Sequence, residues 1–246
     1  MAYIDFSNWD NFVNKIFEAE HELNNPRVVW YRGQHDYNFK LIPSLIRLSN
    51  GLDKEADLFE HYQLIANKIL PERKSDWEYL TDMQHYNLPT RLLDWTDTLG
   101  IALFFAVLGN SNCDAAVYVL DPELLNVKAG KTGQIINLNV SNEDESGFNY
   151  RKIFFKHQPV MPHYPVAAEA KYVNDRIFAQ QGKFTIHGND TRPIDEIFPD
   201  CVKKIRLNNS TLPDVKKFLK ISGINEFTVF PDIVGLAPYL RDIVGL

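Results

Sequence analysis

The chain has 246 residues, 45% of them hydrophobic, enough for a sizeable core in one large domain. Its net charge of −6 and pI near 5.6 argue against a broad basic face for duplex DNA, but not against a local basic pocket. Two cysteines far apart, Cys113 and Cys201, fit unpaired thiols in a reducing compartment rather than a disulfide framework.

In chain order, the first predicted element is an amphipathic helix from Ser7 to about Leu23. Ser7 is its expected N-cap, and Trp9, Phe12, Val13, Ile16 and Phe17 recur at helical spacing. The start of the chain, MAYIDFSNWDNF, lacks the basic residues and apolar run of a signal peptide, so a cytoplasmic protein is expected. Val28–Arg32 reads as a short strand running into Gly33, followed by a polar loop over Gln34–Asn38. Helices are predicted over Asp53–Leu70, ended by Pro71, and over Asp76–Tyr86. Asp97–Leu108 is expected to be a buried helix. Its apolar run of about ten residues is well short of the roughly 20 that a membrane span needs, and no membrane association is expected.

The second half reads as mostly extended. Strands are expected over Ala115–Leu120, Gln134–Val140, Lys152–Phe155, the segment entered after Gly182, Cys201–Leu207 and Phe227–Phe230. Helices are expected within Ala167–Phe178, over Leu212–Ile221 and over Pro231–Leu240, with a rigid loop at Met161–Pro165. Helices before strands point to an α+β fold: a helical first half packed on a mixed, mainly antiparallel sheet.

Chemistry-bearing residues gather in three places. Tyr31-Arg32-Gly33-Gln34 ends the first strand, where the Arg32 guanidinium can hold a phosphate or carboxylate while Gly33 lets backbone come close. A buried arginine paired to a structural carboxylate is the equally weighted alternative. Gln84-His85, Thr90-Arg91 and Asp94-Trp95-Thr96 lead into the buried helix. Arg91 and Asp94 are expected to pair and brace the loop, Thr96 to cap the helix, and the helix start to favour an anionic group. Arg176, Gln180 and Gln181 precede Gly182 and a strand, where amides can meet a ribose or base edge. A plain strand-edge turn is the alternative there. GxGxxG, GxSxG and HExxH motifs are absent, and Gly130-Lys131-Thr132 imitates a P-loop end without its first glycine. The histidines and cysteines show no metal-ligand spacing, so no metal is predicted.

In this order the three constellations resemble the FRG domain family, named for an aromatic-Arg-Gly motif, here Tyr31-Arg32-Gly33. The likeness continues through PSLIR at Pro43–Arg47, QHYNLPTRLLDWT at Gln84–Thr96, ALFFA at Ala102–Ala106, Arg176 to Phe184, and FPDIVGLA at Phe230–Ala237. It implies a single domain over residues 1–246, with residues 53–86 as a helical embellishment. Tyr31 stands where the family name has Phe, and Asn87 where glycine is common.

The layout is more remotely similar to ADP-ribosyltransferases. That similarity implies a split sheet, NAD as co-substrate, Arg32 on the dinucleotide, and a Thr-ended strand at Asp94-Trp95-Thr96 running into an Ala/Phe-rich helix. Where those enzymes carry a catalytic glutamate, this chain has Gln180-Gln181, and glutamine supplies no charge for an oxocarbenium ion. By this resemblance Gln181, His85 and Thr96 are the candidate catalytic residues. Arg32, Gly33, Gln34, Gln84, Thr90, Arg91, Asp94, Arg176 and Gln180 are the candidate nucleotide-binding residues.

Two functions are expected in competition. One is an ADP-ribosyltransferase-like enzyme passing ADP-ribose from NAD to a protein or nucleic-acid acceptor. The other is a non-catalytic nucleotide or nucleic-acid binding module in bacterial stress response or phage defence. A hydrolase using His85 with Asp94 is a third.

Overall fold

The computed structural model describes residues 7–70, 75–109, 113–139, 148–155, 162–170 and 175–245. Among them, seven strands form one mixed sheet: β1 (Trp30–Gln34), β2 (Leu92–Thr96), β3 (Ala115–Leu120), β4 (Ile136–Asn137), β5 (Val166–Glu169), β6 (Gly182–Ile186) and β7 (Val202–Leu207). Their spatial order is β4-β5-β6-β2-β1-β3-β7, with β4–β5 parallel and every other pair antiparallel. The α+β class and the mainly antiparallel sheet are as expected. The helical and extended parts are less separate than expected, since β2 lies between the helices Asp76–His85 and Leu99–Val107 in the part read as helical.

The helices are α1 (Ser7–Glu22), α2 (Gly51–Ala66), α3 (Asp76–His85), α4 (Leu99–Val107), α5 (Pro122–Lys128), α6 (Tyr150–Phe154), α7 (Asp175–Ala179), α8 (Ile194–Ile197), α9 (Leu212–Ile221), α10 (Glu226–Val229) and α11 (Ile233–Val244). Three apolar clusters divide the core. The first joins α1, α4 and α9 to β3 and β7 through Phe12, Ile16, Phe104, Val117, Ile205 and Val215. The second joins α2, α3 and α6 to β5 and β6 through Phe59, Trp77, Tyr150, Val166 and Phe184. A third runs through Trp30, Trp95, Tyr118, Ala167 and Leu125, using the alternate positions of the same strands. No described helix is long and apolar enough to cross a membrane.

Several sequence expectations are corrected. Lys152–Phe155 is helical rather than extended: Asn149 accepts a hydrogen bond from the Lys152 N–H and starts α6, which stacks its aromatic residues against Phe59 and Trp77. The expected helix over Ala167–Phe178 begins as strand β5, because Ala167 and Ala168 are fully buried between strand neighbours. Its helical part is the short α7. Phe227–Phe230 is helical through Val229, started by a capping box of Asn225 and Thr228. The strand expected over Gln134–Val140 is only Ile136–Asn137, and Val140 lies outside the described residues, as do Pro71 and Met161. Helix α5, set by the Asp121 cap and Pro122 in its first turn, was not anticipated.

Candidate functional site

β1 and β2 share a single register pair, Tyr31 with Thr96. Beyond it, β1 pairs along its length with β3, and β2 with β6. The two halves of the sheet therefore part at this point and leave a fork. A cavity of about 350 Å³ occupies it, walled by β1, β2, the end of α3, the start of α4 and the α7–β6 turn.

Arg32 has the parity of Trp30, whose ring is buried in the third cluster, but its guanidinium reaches into the fork. There Nη1 donates to the Asp94 carbonyl oxygen at 2.6 Å and stands 3.9 Å from the Asp94 carboxylate. Among the described residues, its Nη2 and Nε have no acceptor. Burial lowers the proton affinity of Arg32; Asp94 opposes this, and the nearby charge of Arg47 adds to it.

Gly33 is fixed by packing. A Cβ there would meet the Ala102 carbonyl oxygen at 1.8 Å and the Ala106 nitrogen at 2.7 Å. The close approach that the glycine permits is thus that of α4, laid across β1.

Asp94 projects into the cavity with its side chain half exposed, and it accepts a hydrogen bond from Gln84 Nε2 at 2.6 Å. Gln84 in turn accepts from the Thr90 hydroxyl. Arg176 comes from α7; it donates to the His85 carbonyl at 3.1 Å and lies 4.4 Å over the Phe230 ring. Burial lowers its proton affinity, with Asp94 and Asp232 opposing. His85 lines the cavity with its Nδ1 buried and unpartnered among the described residues, and burial, then the Arg176 charge, hold its pKa below the ordinary value. Gln180 also lines the cavity, and its amide donates to the Val229 carbonyl at 3.2 Å.

Of the residues picked from sequence, Arg32, Gly33, Gln84, His85, Asp94, Thr96, Arg176 and Gln180 line this one cavity. Gln34, Thr90, Arg91 and Gln181 do not. Gln34 is buried at the far end of β1, and Thr90 braces Gln84 and accepts from the Leu92 N–H.

The expected Arg91–Asp94 pair does not form. Arg91 instead pairs with Glu55 of α2, with Nε 2.6 Å from the carboxylate, and donates to the His187 carbonyl at 2.6 Å. The guanidinium packs 4.0 Å from the centre of the Phe154 ring, and the Tyr150 hydroxyl donates to the same Glu55. Arg91 lies just before β2, outside the alternation of the strand, and its side chain turns to Glu55 and Phe154, while Asp94 within β2 faces the fork. Burial alone lowers the proton affinity of Arg91, but the hydrogen bond and charge of Glu55 outweigh it and the net shift is upward.

Thr96 does not cap α4. The cap position is Thr98, and the Thr96 hydroxyl accepts from the Thr98 N–H at 3.1 Å. Gln181 holds a left-handed backbone with φ of 47°, and its amide oxygen accepts from the Thr98 hydroxyl at 2.7 Å. Asn87 is also left-handed, with φ of 59°, a conformation asparagine tolerates better than most residues.

Sequence reasoning passed over Ser44 and Arg47, which line the same cavity from the loop before α2. The Arg47 side chain has no hydrogen bond or ion pair among the described residues, while Ser44 accepts from the Thr90 N–H at 3.3 Å. Three guanidiniums, Arg32, Arg47 and Arg176, thus line a cavity in which Asp94 is the one carboxylate among the described residues, a formal excess of two positive charges among them. No group of His, Cys, Asp and Glu able to hold a metal ion occurs among the described residues.

The aromatic-Arg-Gly strand end and the Gln84–Thr96 stretch, the two signatures named above, are the opposite walls of this fork. Residues 27–115 match the FRG domain family. The matched segment runs from just before β1 to the first residue of β3 and contains α2, α3, β2 and α4. The FRG segment thus supplies every cavity residue from Tyr31 to Phe105, while Arg176, Gln180 and Gly182 come from beyond it. No curated protein and no solved structure matches the chain.

Proposed function

We propose that the chain binds a phosphate-bearing nucleotide in the fork between β1 and β2. The observation that carries this reading is the cationic lining: Arg32, Arg47 and Arg176 facing one cavity with Asp94 as its sole carboxylate among the described residues. Guanidinium groups match phosphate oxygens in shape and charge, and partial desolvation strengthens the attraction. The cavity, at about 350 Å³, lies at the small end of the roughly 300–1,000 Å³ usual for ligand pockets. It suits a mononucleotide-sized body. The unpartnered His85 Nδ1, the Gln180 amide and the Tyr31 and Phe105 rings offer hydrogen bonds and apolar faces to a ribose and base.

A second reading, ADP-ribosyl transfer from NAD, is favoured by the placement of Asp94. It is a carboxylate in the fork of a forked sheet, beside the Arg32 that the likeness to ADP-ribosyltransferases would put on the pyrophosphate. In that reaction the ribose–nicotinamide bond breaks and nicotinamide leaves with the electron pair. An acceptor then attacks the ribose carbon and gives up its proton. The charge on Asp94 would stabilise the developing cation, a part that neutral Gln181 does not play. Motif order and the forked sheet together support this reading.

Calorimetric titration with NAD and the four ribonucleoside 5′-monophosphates, alongside an assay for released nicotinamide, tests both readings. Binding without nicotinamide release supports the binding module. Release that is lost in Asp94→Asn supports transfer. Absence of any binding contradicts both.

A further inference from the structure

The arginine that sequence reasoning passed over gives the site a polarity. Arg32 and Arg47 come from different parts of the chain, the end of β1 and the loop before α2, yet both line the same cavity, and the Arg47 charge acts on Arg32. Two guanidiniums brought together repel unless an anion lies between them. Arg32 reaches a carbonyl and stays 3.9 Å from the Asp94 carboxylate, which Gln84 already engages. The Arg47 guanidinium has no acceptor among the described residues. Ser44 stands on the same loop; its oxygen accepts the Thr90 N–H, and its own proton has no acceptor among the described residues. The donors left over are therefore two arginines and a hydroxyl, with a single negative charge among the described lining residues to answer them.

We infer that Arg47, Arg32 and Ser44 form a subsite for a doubly charged phosphomonoester. The ligand then ends in a terminal phosphate rather than carrying only singly charged diester or anhydride-bridging phosphates. This rests on the nucleotide-binding reading and adds the charge class of the ligand. A 5′-mononucleotide and a dinucleotide bearing a 2′-phosphate both present this group; NAD and cyclic nucleotides do not. A phosphomonoester carries close to two charges at neutral pH and three acceptor oxygens, enough for two guanidiniums and a hydroxyl.

The test is calorimetric titration of the wild-type chain and of Arg47→Gln with AMP, 3′,5′-cyclic AMP, adenosine, NAD, NADP and pyrophosphate, repeated with the other three nucleoside 5′-monophosphates. Arg47 is exposed, so its replacement should leave the melting temperature unchanged. Expected is a monophosphate at least tenfold tighter than its cyclic form or its nucleoside. Arg47→Gln should weaken that monophosphate about tenfold or more and cyclic AMP and NAD by a clearly smaller factor. If AMP and NADP both gain over cyclic AMP and NAD, the phosphate is read wherever it is attached; if only one does, that one is the ligand class. Cyclic and terminal phosphates binding alike, or Arg47→Gln losing all nucleotides equally, would overturn the subsite and leave nucleotide binding standing. Pyrophosphate binding that depends on Arg47, with no nucleotide bound, would keep the subsite and overturn the nucleotide reading. Silence from every probe would overturn both.

Discussion

Replacing Glu55 by glutamine would strand the Arg91 guanidinium, which is 1% exposed and meets no other carboxylate among the described residues. Breaking a buried pair in this way costs about 3–5 kcal/mol. We expect Glu55→Gln to lower the melting temperature by about 10 °C or more, read by circular dichroism. A drop of only a degree or two would show that the pair is not the brace between α2 and β2. Arg32 carries the same chemistry with a different partner set. It touches a backbone carbonyl and a distant, half-exposed carboxylate, so its charge is left for something else. The contrast was partly legible in sequence, where both arginines stood out. Which was structural and which was free depended on Glu55, a residue of helix α2 that no local pattern connects to Arg91. Arg47 was visible only as the end of the PSLIR match, because nothing in that segment says which cavity it lines.

At the scale of elements, the Gly33–α4 contact sets the width of the fork. A methyl group at position 33 would collide with the backbone of Ala102, and backbone cannot rotate away as a side chain can. Gly33→Ala is expected to cost at least the roughly 1–3 kcal/mol usual for overpacking, and to move α4 off β1. Chemical denaturation would read the loss, and wild-type stability in Gly33→Ala would contradict it. The helices with clear periodicity, α1, α2, α3 and α9, were legible from sequence, as were the strands β3, β6 and β7. The misread elements share a cause. Alanine-rich β5 looks helical by propensity, yet small side chains are what its buried position between β4 and β6 admits. The aromatic residues of α6 and α10 look extended by propensity, yet caps at Asn149 and Asn225 start both helices. In those two cases the deciding residue was present in the sequence, just ahead of the segment that was misjudged.

The whole molecule has a pH response of its own, apart from any ligand. His187 is fully buried beside Arg91, and burial lowers its pKa to about 3. The unfolded chain takes a proton at this residue below its ordinary value near 6.5, while the folded chain stays neutral there. The unfolded state therefore binds more protons, and stability falls as pH drops below about 6.5, by up to about 1.4 kcal/mol per pH unit for this residue. Above that value the residue contributes no slope. Urea midpoints from pH 7.5 to 5 should decline in the wild-type chain and decline less in His187→Gln; equal slopes would rule the residue out. The fork itself holds the central claim, that the cationic cavity between β1 and β2 receives a nucleotide through Arg32. The most direct measurement is calorimetric titration of Arg32→Gln beside the wild-type chain, using whichever nucleotide the wild type binds most tightly. The account predicts that affinity falls at least tenfold while the melting temperature stays within a few degrees. Unchanged affinity in a folded Arg32→Gln chain would contradict it.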